Sequence, residues 1–208
     1  MKKLFKPVLT LAVIGTMVAC GGAADKAKEV SEEAEVKVEE VMEETVAVKL
    51  DESNVMWSGS VLGMHSHQGT VSVTEGSLNM KGTDVVGGTF TIDMASITPT
   101  DSNYSEDKTS EMLVGHLSSV DFFMTDSFPT ASFVVTSADM AAMTITGDLT
   151  VRGVTKTETI NDVAIDAAAG TAKGSLTFDR QDYGVAFSHP MKDVVISDDI
   201  ELTINLKM

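Results

Sequence analysis

From residue 53 onward the sequence alternates apolar and polar residues with a period of two, and that rhythm dictates strands. Phe90, Ile92 and Met94 alternate with Thr89, Thr91 and Asp93. Met143, Ile145, Leu149 and Val151 alternate with Thr144, Thr146, Asp148 and Thr150. Leu176 and Phe178 alternate with Ser175, Thr177 and Asp179, and Ile200, Leu202, Ile204 and Leu206 with Glu201, Thr203, Asn205 and Lys207. A strand turns successive side chains to opposite faces, so each run has one dry face and one wet face. Further strands are expected near 54–62, 69–74, 131–137 and 154–165. Turn residues punctuate the runs at Glu75-Gly76, Gly87-Gly88, Ala169-Gly170 and Ser197-Asp198-Asp199. About eight short strands with short connections point to an all-β antiparallel barrel or sandwich. The interior of an eight-stranded barrel is either filled by side chains or holds one small ligand.

One stretch departs from this rhythm. Residues 105–119 read SEDKTSEMLVGHLSS. Ser105 is placed to cap a helix, with Glu106 and Asp107 in its first turn. Met112, Leu113, His116 and Leu117 then share one face, and Asp121-Phe122-Phe123 follows at once. The expectation is a short helix laid over the sheet or across a barrel mouth with two aromatics beneath it, either as a gate or as a plain cap on the core.

The chain before residue 51 has a different composition. Lys2, Lys3 and Lys6 precede an apolar run from Val8 to Val18, too short for a bilayer and suited to a signal peptide. Met17-Val18-Ala19-Cys20 resembles a lipobox, with Met at position 17 where Leu is usual. Cys20 is the only cysteine, so no disulfide forms within the chain and the fold rests on its core. Residues 1–19 therefore read as a signal peptide, and Cys20 as the lipidated residue, expected to anchor the chain to a bacterial membrane. Residues 20–50 read as the lipidated cysteine with a flexible acidic tether, because residues 21–50 hold nine acids against four lysines and no proline or aromatic residue. Residues 51–208 form the domain. This reading places the chain in the cell envelope, with the outer membrane facing the periplasm as the expected site. The net charge of -16 argues against nucleic acid as a partner, because phosphates are repelled.

The order of several motifs resembles the YceI-like family. They are Val55-Met56-Trp57-Ser58-Gly59, His65 with Gly69, Gly87-Gly88-Thr89-Phe90-Thr91-Ile92-Asp93-Met94, and Ser96-Ile97. Gly115-His116-Leu117-Ser118-Ser119-Val120-Asp121-Phe122-Phe123 is the most specific, with Phe128-Pro129-Thr130-Ala131-Ser132-Phe133 after it. Ile145 to Lys156 and Asp179-Arg180-Gln181-Asp182-Tyr183-Gly184-Val185 complete the set. The resemblance spans residues 53–208. It implies an eight-stranded antiparallel lipocalin-like barrel whose hydrophobic pore holds one long-chain lipid of polyisoprenoid type, and it implies no catalysis. The chain differs in lacking aromatics over 68–80 and in carrying His67 beside His65.

In such a barrel the apolar parity points inward. Trp57, Phe90, Ile92, Met94, Phe133, Met143, Ile145, Leu149, Leu176, Phe178, Leu202 and Ile204 are the expected pore wall, with Phe122 and Phe123 near the mouth. Plain core packing is an equal reading for each of them alone. The methionines suit a wall that adapts to a flexible chain. His65, His116 and Arg180 are candidates for polar head-group contacts. His65 and His67 share a strand face, yet no third ligand is evident, so no metal is assigned and hydrogen-bonded structural histidines are the default. Arg180 has the parity of Leu176 and Phe178, and an ion pair with Asp182 or another rim carboxylate is the favoured reading. No Gly-x-Ser-x-Gly elbow, phosphate loop or dinucleotide motif occurs. The leading expectation is a membrane-anchored protein, not an enzyme and without a cofactor, that binds an isoprenoid or fatty-acyl lipid for storage, transport or stress protection. The alternative is an envelope interaction module with a filled barrel. Pairing of the domain with itself is left open.

Overall fold

The computed structural model describes residues 42–191 and 193–208. The signal segment, Cys20 and the tether up to residue 41 lie outside the described residues. Among the described residues nine strands and one α-helix follow in the order β1 (Glu43–Ala47), β2 (Asn54–Val61), β3 (His65–Lys81), β4 (Asp84–Pro99), α1 (Ser110–Ser118), β5 (Thr130–Asp139), β6 (Thr144–Val151), β7 (Val154–Asp166), β8 (Thr171–Asp179) and β9 (Asp199–Lys207). β2 to β9 form an antiparallel ring in the order β3-β2-β9-β8-β7-β6-β5-β4, closed by pairing of β4 with β3. The alternation left a barrel or a sandwich open, and the eight-stranded barrel that the family resemblance implies is what the chain forms.

Register explains why the ring holds. Val55 stands opposite Val71 and Ile204, Leu202 opposite Leu176, Phe133 opposite both Phe90 and Leu149, and Ile145 opposite Ile160. Each inward side chain therefore meets inward neighbours on both sides. A slip of one residue would turn every one of them out to water. The outer face uses the intervening polar residues: Thr146 and Thr159 hydroxyls lie 3.2 Å apart, Thr150 and Thr155 2.8 Å, and Thr157 donates to Asp148 at 2.9 Å.

The connections sort to two ends. The hairpin tip at 62–64, residues 100–129 with α1, the β6–β7 turn and residues 180–198 gather at the helix end. The β3–β4, β5–β6 and β7–β8 turns lie at the far end. The β6–β7 turn has Arg152 and Gly153 both in the left-handed region, at φ 50° and 74°, the geometry of a tight two-residue hairpin. Helix α1 starts later than expected. Thr109 rather than Ser105 is its N-cap, and the Thr109 side chain accepts from the Met112 N–H.

The structure corrects three further expectations. Glu75-Gly76 and Gly87-Gly88 are not turns but lie inside the long strands β3 and β4. Their glycines answer to crowding: a Cβ on Gly88 would sit 2.7 Å from the Ser77 carbonyl oxygen, and one on Gly76 3.1 Å from the Phe90 ring. The turn itself uses Gly82, at φ 64°. Met143 is not a wall residue. It ends the β5–β6 turn at φ 57° and is 54% exposed, because the alternation was carried one residue past the strand. The Asp139 carboxylate fixes that turn by accepting from the N–H groups of Ala141 and Ala142, both at 3.0 Å.

The domain also begins before residue 51. β1 pairs with the far half of β3, from Glu43 opposite Lys81 to Ala47 opposite Ser77. There it takes over the side of β3 that β2 occupies nearer the helix end. Val48 follows, buried in the core, with its N–H bonded to the Gly76 carbonyl at 2.9 Å. Residues 43–50 are thus wall and not tether. A chain starting at residue 51 should be less stable than one starting at residue 42 by about 2–3 kcal/mol, the scale of one buried valine and its strand. Denaturant midpoints measure this, and equal midpoints would return residues 43–50 to the tether.

Candidate ligand cavity

The inward faces leave a space along the barrel axis. All eight ring strands border it: Val55 from β2, Val73 and Leu78 from β3, Phe90 and Ile92 from β4, Phe133 and Val135 from β5, Ile145 and Leu149 from β6, Ile160, Val163 and Ile165 from β7, Ala172, Gly174 and Leu176 from β8, and Leu202, Ile204 and Leu206 from β9. Ser132 and Lys173, of the opposite parity, touch its edge. The cavity has a volume of about 100 Å³ and is partly open to solvent. That is room for several water molecules, but the walls give them almost nothing to bond to. The space suits a slender apolar guest.

Eight of the expected wall residues are there: Phe90, Ile92, Phe133, Ile145, Leu149, Leu176, Leu202 and Ile204. The β7 residues were missed for a structural reason. A bulge between Asn161 and Ala164, with Asp162 at φ 53°, breaks the period, so that Ile160 and Val163 both point inward at a spacing of three. A similar break between Val73 and Glu75 lets Val73 and Leu78 share the interior. Val55 has the parity of Trp57 and was within reach of the same argument.

Four of the remaining expected residues lie toward the helix end instead. Met94 and Phe178 are buried, and Phe178 meets the Tyr183 ring edge-on at 5.2 Å. Phe122 is buried and Phe123 half-buried behind α1. Neither Met94, Phe122, Phe123 nor Phe178 borders the cavity. His116 is not a free polar contact: its ring lies edge-on between Phe122 at 4.8 Å and Phe187 at 4.6 Å. Met112, on the helix face read as apolar, is 61% exposed.

Arg180 is not a head-group contact either. It leaves β8 for a short 3-10 turn and is 3% exposed. Its guanidinium donates to the carbonyls of Ser197 and Val185 and to the Asp198 carboxylate at 2.9 Å. It is an ion pair, but with Asp198 and not Asp182, and it ties residues 180–198 to the barrel. Arg152, which the sequence reading did not single out, does the same nearby. It donates to the carbonyls of Val120 at 3.0 Å, Phe122 at 2.9 Å and Gly184 at 2.6 Å. Tyr183, fully buried, donates to Glu158 at 2.8 Å, and burial together with that carboxylate holds its phenol well above the usual tyrosine range.

A polar cluster stands beside this plug. His65 is exposed and meets His67 edge-on at 5.0 Å, while His67 stacks on Tyr104 at 5.2 Å. Asp101 organises the cluster. It accepts from the N–H groups of Asn103 at 2.9 Å and Gln68 at 3.1 Å, from the Tyr104 hydroxyl at 2.9 Å, and lies 3.2 Å from His67 Nδ1. Burial alone would raise the Asp101 carboxyl, but these hydrogen bonds outweigh it and pull it down to about 2. Burial and the Asp101 charge push Tyr104 up to about 12. Among the described residues no group of three His, Cys, Asp or Glu side chains is arranged to hold a metal ion.

Trp57, also expected in the pore wall, does not border the cavity and is only half-buried. Its cross-strand neighbours are Gly69 and Leu202. Its Nε1 is the one buried side-chain nitrogen or oxygen without a hydrogen-bond partner among the described residues. A buried donor left so costs about 1–3 kcal/mol.

A closed eight-stranded antiparallel barrel with a dry lumen and a helix at one end is a lipocalin-like β-barrel. The YceI-like domain model matches residues 46–208, and the chain belongs to the YceI-like family. Among solved structures, Burkholderia cenocepacia BcnA aligns over 76% of this chain and 98% of its own at 21% identity, with a TM-score of 0.57, a likeness of fold. A polyisoprenoid-binding domain from Saccharophagus degradans, implicated in plant cell wall breakdown, is 14% identical over 77% of this chain and 95% of its own, with a TM-score of 0.48. A mutant Campylobacter jejuni YceI protein with a monobromobimane guest is 19% identical over 90% of each chain, with a TM-score of 0.44. No curated protein matches the sequence.

The Asp101 cluster makes a prediction about pH. The folded-state carboxyl, at about 2, lies below the ordinary value of 3.8, so its contribution is complete above about pH 4 and lost as pH falls through about 2. Allowing for solvent screening at the rim, Asp101→Asn should lower stability at pH 7 by about 1–2 kcal/mol. Denaturation from pH 7 to pH 2 should show that gap closing at the acid end. A gap that stays constant would contradict the charged-acceptor role.

Proposed function

We propose that the protein binds one long-chain apolar lipid inside the barrel and carries it while anchored to a membrane through acylated Cys20. The observation that carries this reading is the cavity itself, walled by apolar side chains from every ring strand. An empty cavity of about 100 Å³ weakens a core by about 2 kcal/mol, and a bound chain offsets that loss. The wall is aliphatic with two phenylalanines, Phe90 and Phe133, which suits a flexible hydrocarbon better than a flat ring system. Polyisoprenoid and fatty-acyl chains both meet that description. Membership of the YceI-like family and the resemblance of its motifs favour the polyisoprenoid. Binding is favoured over catalysis because the ordered polar groups Asp101, Glu158, Arg152 and Arg180 are engaged in structural contacts at the helix end and none borders the cavity. The anchor would keep the barrel near the bilayer from which lipid is taken or to which it is delivered, for storage, transport or protection under stress. The outer membrane, on its periplasmic face, is the proposed location.

Solvent extraction of the purified, non-acylated domain followed by mass spectrometry should release about one lipid per barrel. Ala172→Phe places a ring in the cavity, and this variant should keep its strand circular dichroism while losing the lipid. A wild-type barrel that yields no lipid and takes up no added long chain would overturn the reading and leave an interaction module. In the same cells Cys20→Ser should move the full-length protein from the membrane fraction to the soluble one, and retention in the membrane would remove the anchor.

A further inference from the structure

We infer that His65 and His67 bind one divalent transition-metal ion at the helix end of the barrel, through two imidazole nitrogens with water completing the coordination. The inference goes beyond the lipid-binding reading and does not depend on it.

The first observation is the spacing of the pair. The two histidines stand two residues apart in β3, in regular register with β2, opposite Val61 and Gly59. Side chains at that spacing rise from the same face of a strand. Their ring centres are 5.0 Å apart and their planes meet at 73°. Two imidazoles held to one ion by bonds of about 2.0–2.1 Å, at roughly a tetrahedral angle, have ring centres about 5 Å apart. The rings are therefore spaced to share an ion.

The second observation is the state of His67. The Asp101 carboxylate, with its side chain 7% exposed, accepts from the N–H groups of Asn103 and Gln68 and from the Tyr104 hydroxyl. It is an acceptor toward His67 as well, 3.2 Å from Nδ1. Nδ1 then carries the proton, and the lone pair of the neutral ring lies on Nε2. Among the described residues Nε2 has no hydrogen-bond partner, and it is not a buried atom, so that lone pair is open to solvent. Tyr104 stacks on the same ring at 5.2 Å and 18° and fixes its plane. A carboxylate behind a ligating histidine sets the tautomer and raises its basicity, and Asp101 stands in that position. His65 is exposed, with room to turn a nitrogen toward the same point.

The third observation is the donor set. Imidazole nitrogen suits zinc and copper(II), whereas magnesium and calcium take oxygen. The net charge of -16 draws cations toward the domain. Among the described residues no third His, Cys, Asp or Glu is arranged to join the pair, so water holds the remaining positions. Structural zinc sites are closed by four protein ligands, and this one keeps open positions for exchange.

The full chain carrying Cys20→Ser, in which no thiol competes, is titrated by calorimetry with copper(II) chloride, zinc chloride and magnesium chloride. Nuclear magnetic resonance of the histidine ring nitrogens follows the zinc titration. One ion should bind per chain, copper(II) more tightly than zinc, and magnesium should not bind. Zinc should shift Nε2 of His67 and one ring nitrogen of His65 and leave His116 and His189 unmoved. His65→Ala, at an exposed position, should weaken zinc binding by about tenfold or more and leave the denaturation midpoint unchanged. Asp101→Asn, which touches neither proposed ligand nitrogen, should weaken it by about 10- to 100-fold. Three results overturn the inference: binding of neither zinc nor copper(II), zinc affinity unchanged in His65→Ala, or His65 and His67 nitrogens unmoved at saturation. Each of them leaves the lipid-binding reading as it was.

Discussion

Pairing of β4 with β3 closes the sheet, and closure decides everything else about the interior. A flat sheet would lay its apolar face against a second layer. A ring must turn that face toward its own axis, where eight strands enclose a lumen that side chains nearly fill. Whether they fill it depends on their size. Here the inward residues include Gly174 and Ala172 on one strand and Gly147 on another, and the large rings are few. Gly147 is needed so that Phe133 can lie against β6, since a Cβ there would sit 2.5 Å from the ring. The small residues let neighbours lean over them and leave the axis open.

The two ends of the ring are finished differently. The far end is made of tight turns. The helix end is a plug of aromatics tied by charged and polar groups: Arg152 gathers three carbonyls, Arg180 fastens residues 180–198, and Tyr183 bonds to Glu158. A buried ion pair with an exposed partner, such as Arg180–Asp198, serves to fix one arrangement of a loop more than to add net stability. The buried Arg180 and Tyr183 and their polar partners are therefore gathered at the helix end.

Much of this could be read from residues alone, and the failures have physical causes. β6, β8 and β9 keep strict alternation, so Ile145, Leu149, Leu176, Leu202 and Ile204 were legible as wall. β7 and β3 contain bulges, which change the parity within a strand, and so Ile160, Val163 and Leu78 were not. Met143 was misplaced because alternation carries no mark for where a turn begins. Glycine pairs inside β3 and β4 mimic turns, since crowding and chain reversal ask for the same residue. Arg180 followed the parity of β8 until the backbone left the strand. Asp101 and Arg152 act through loop carbonyls and amides brought together only by the fold, and no periodicity announces them. Residues 43–50 look like tether by composition, yet β3 is long enough to need a partner there.

The central claim is that a single chain lies along the barrel axis. Intermolecular nuclear Overhauser effects between a carbon-13-labelled long-chain ligand and the methyl groups of the domain test it most directly. The account predicts contacts to Ile145, Leu149, Leu176 and Leu202 together. Contacts confined to outward residues such as Met56 and Val134 would contradict it.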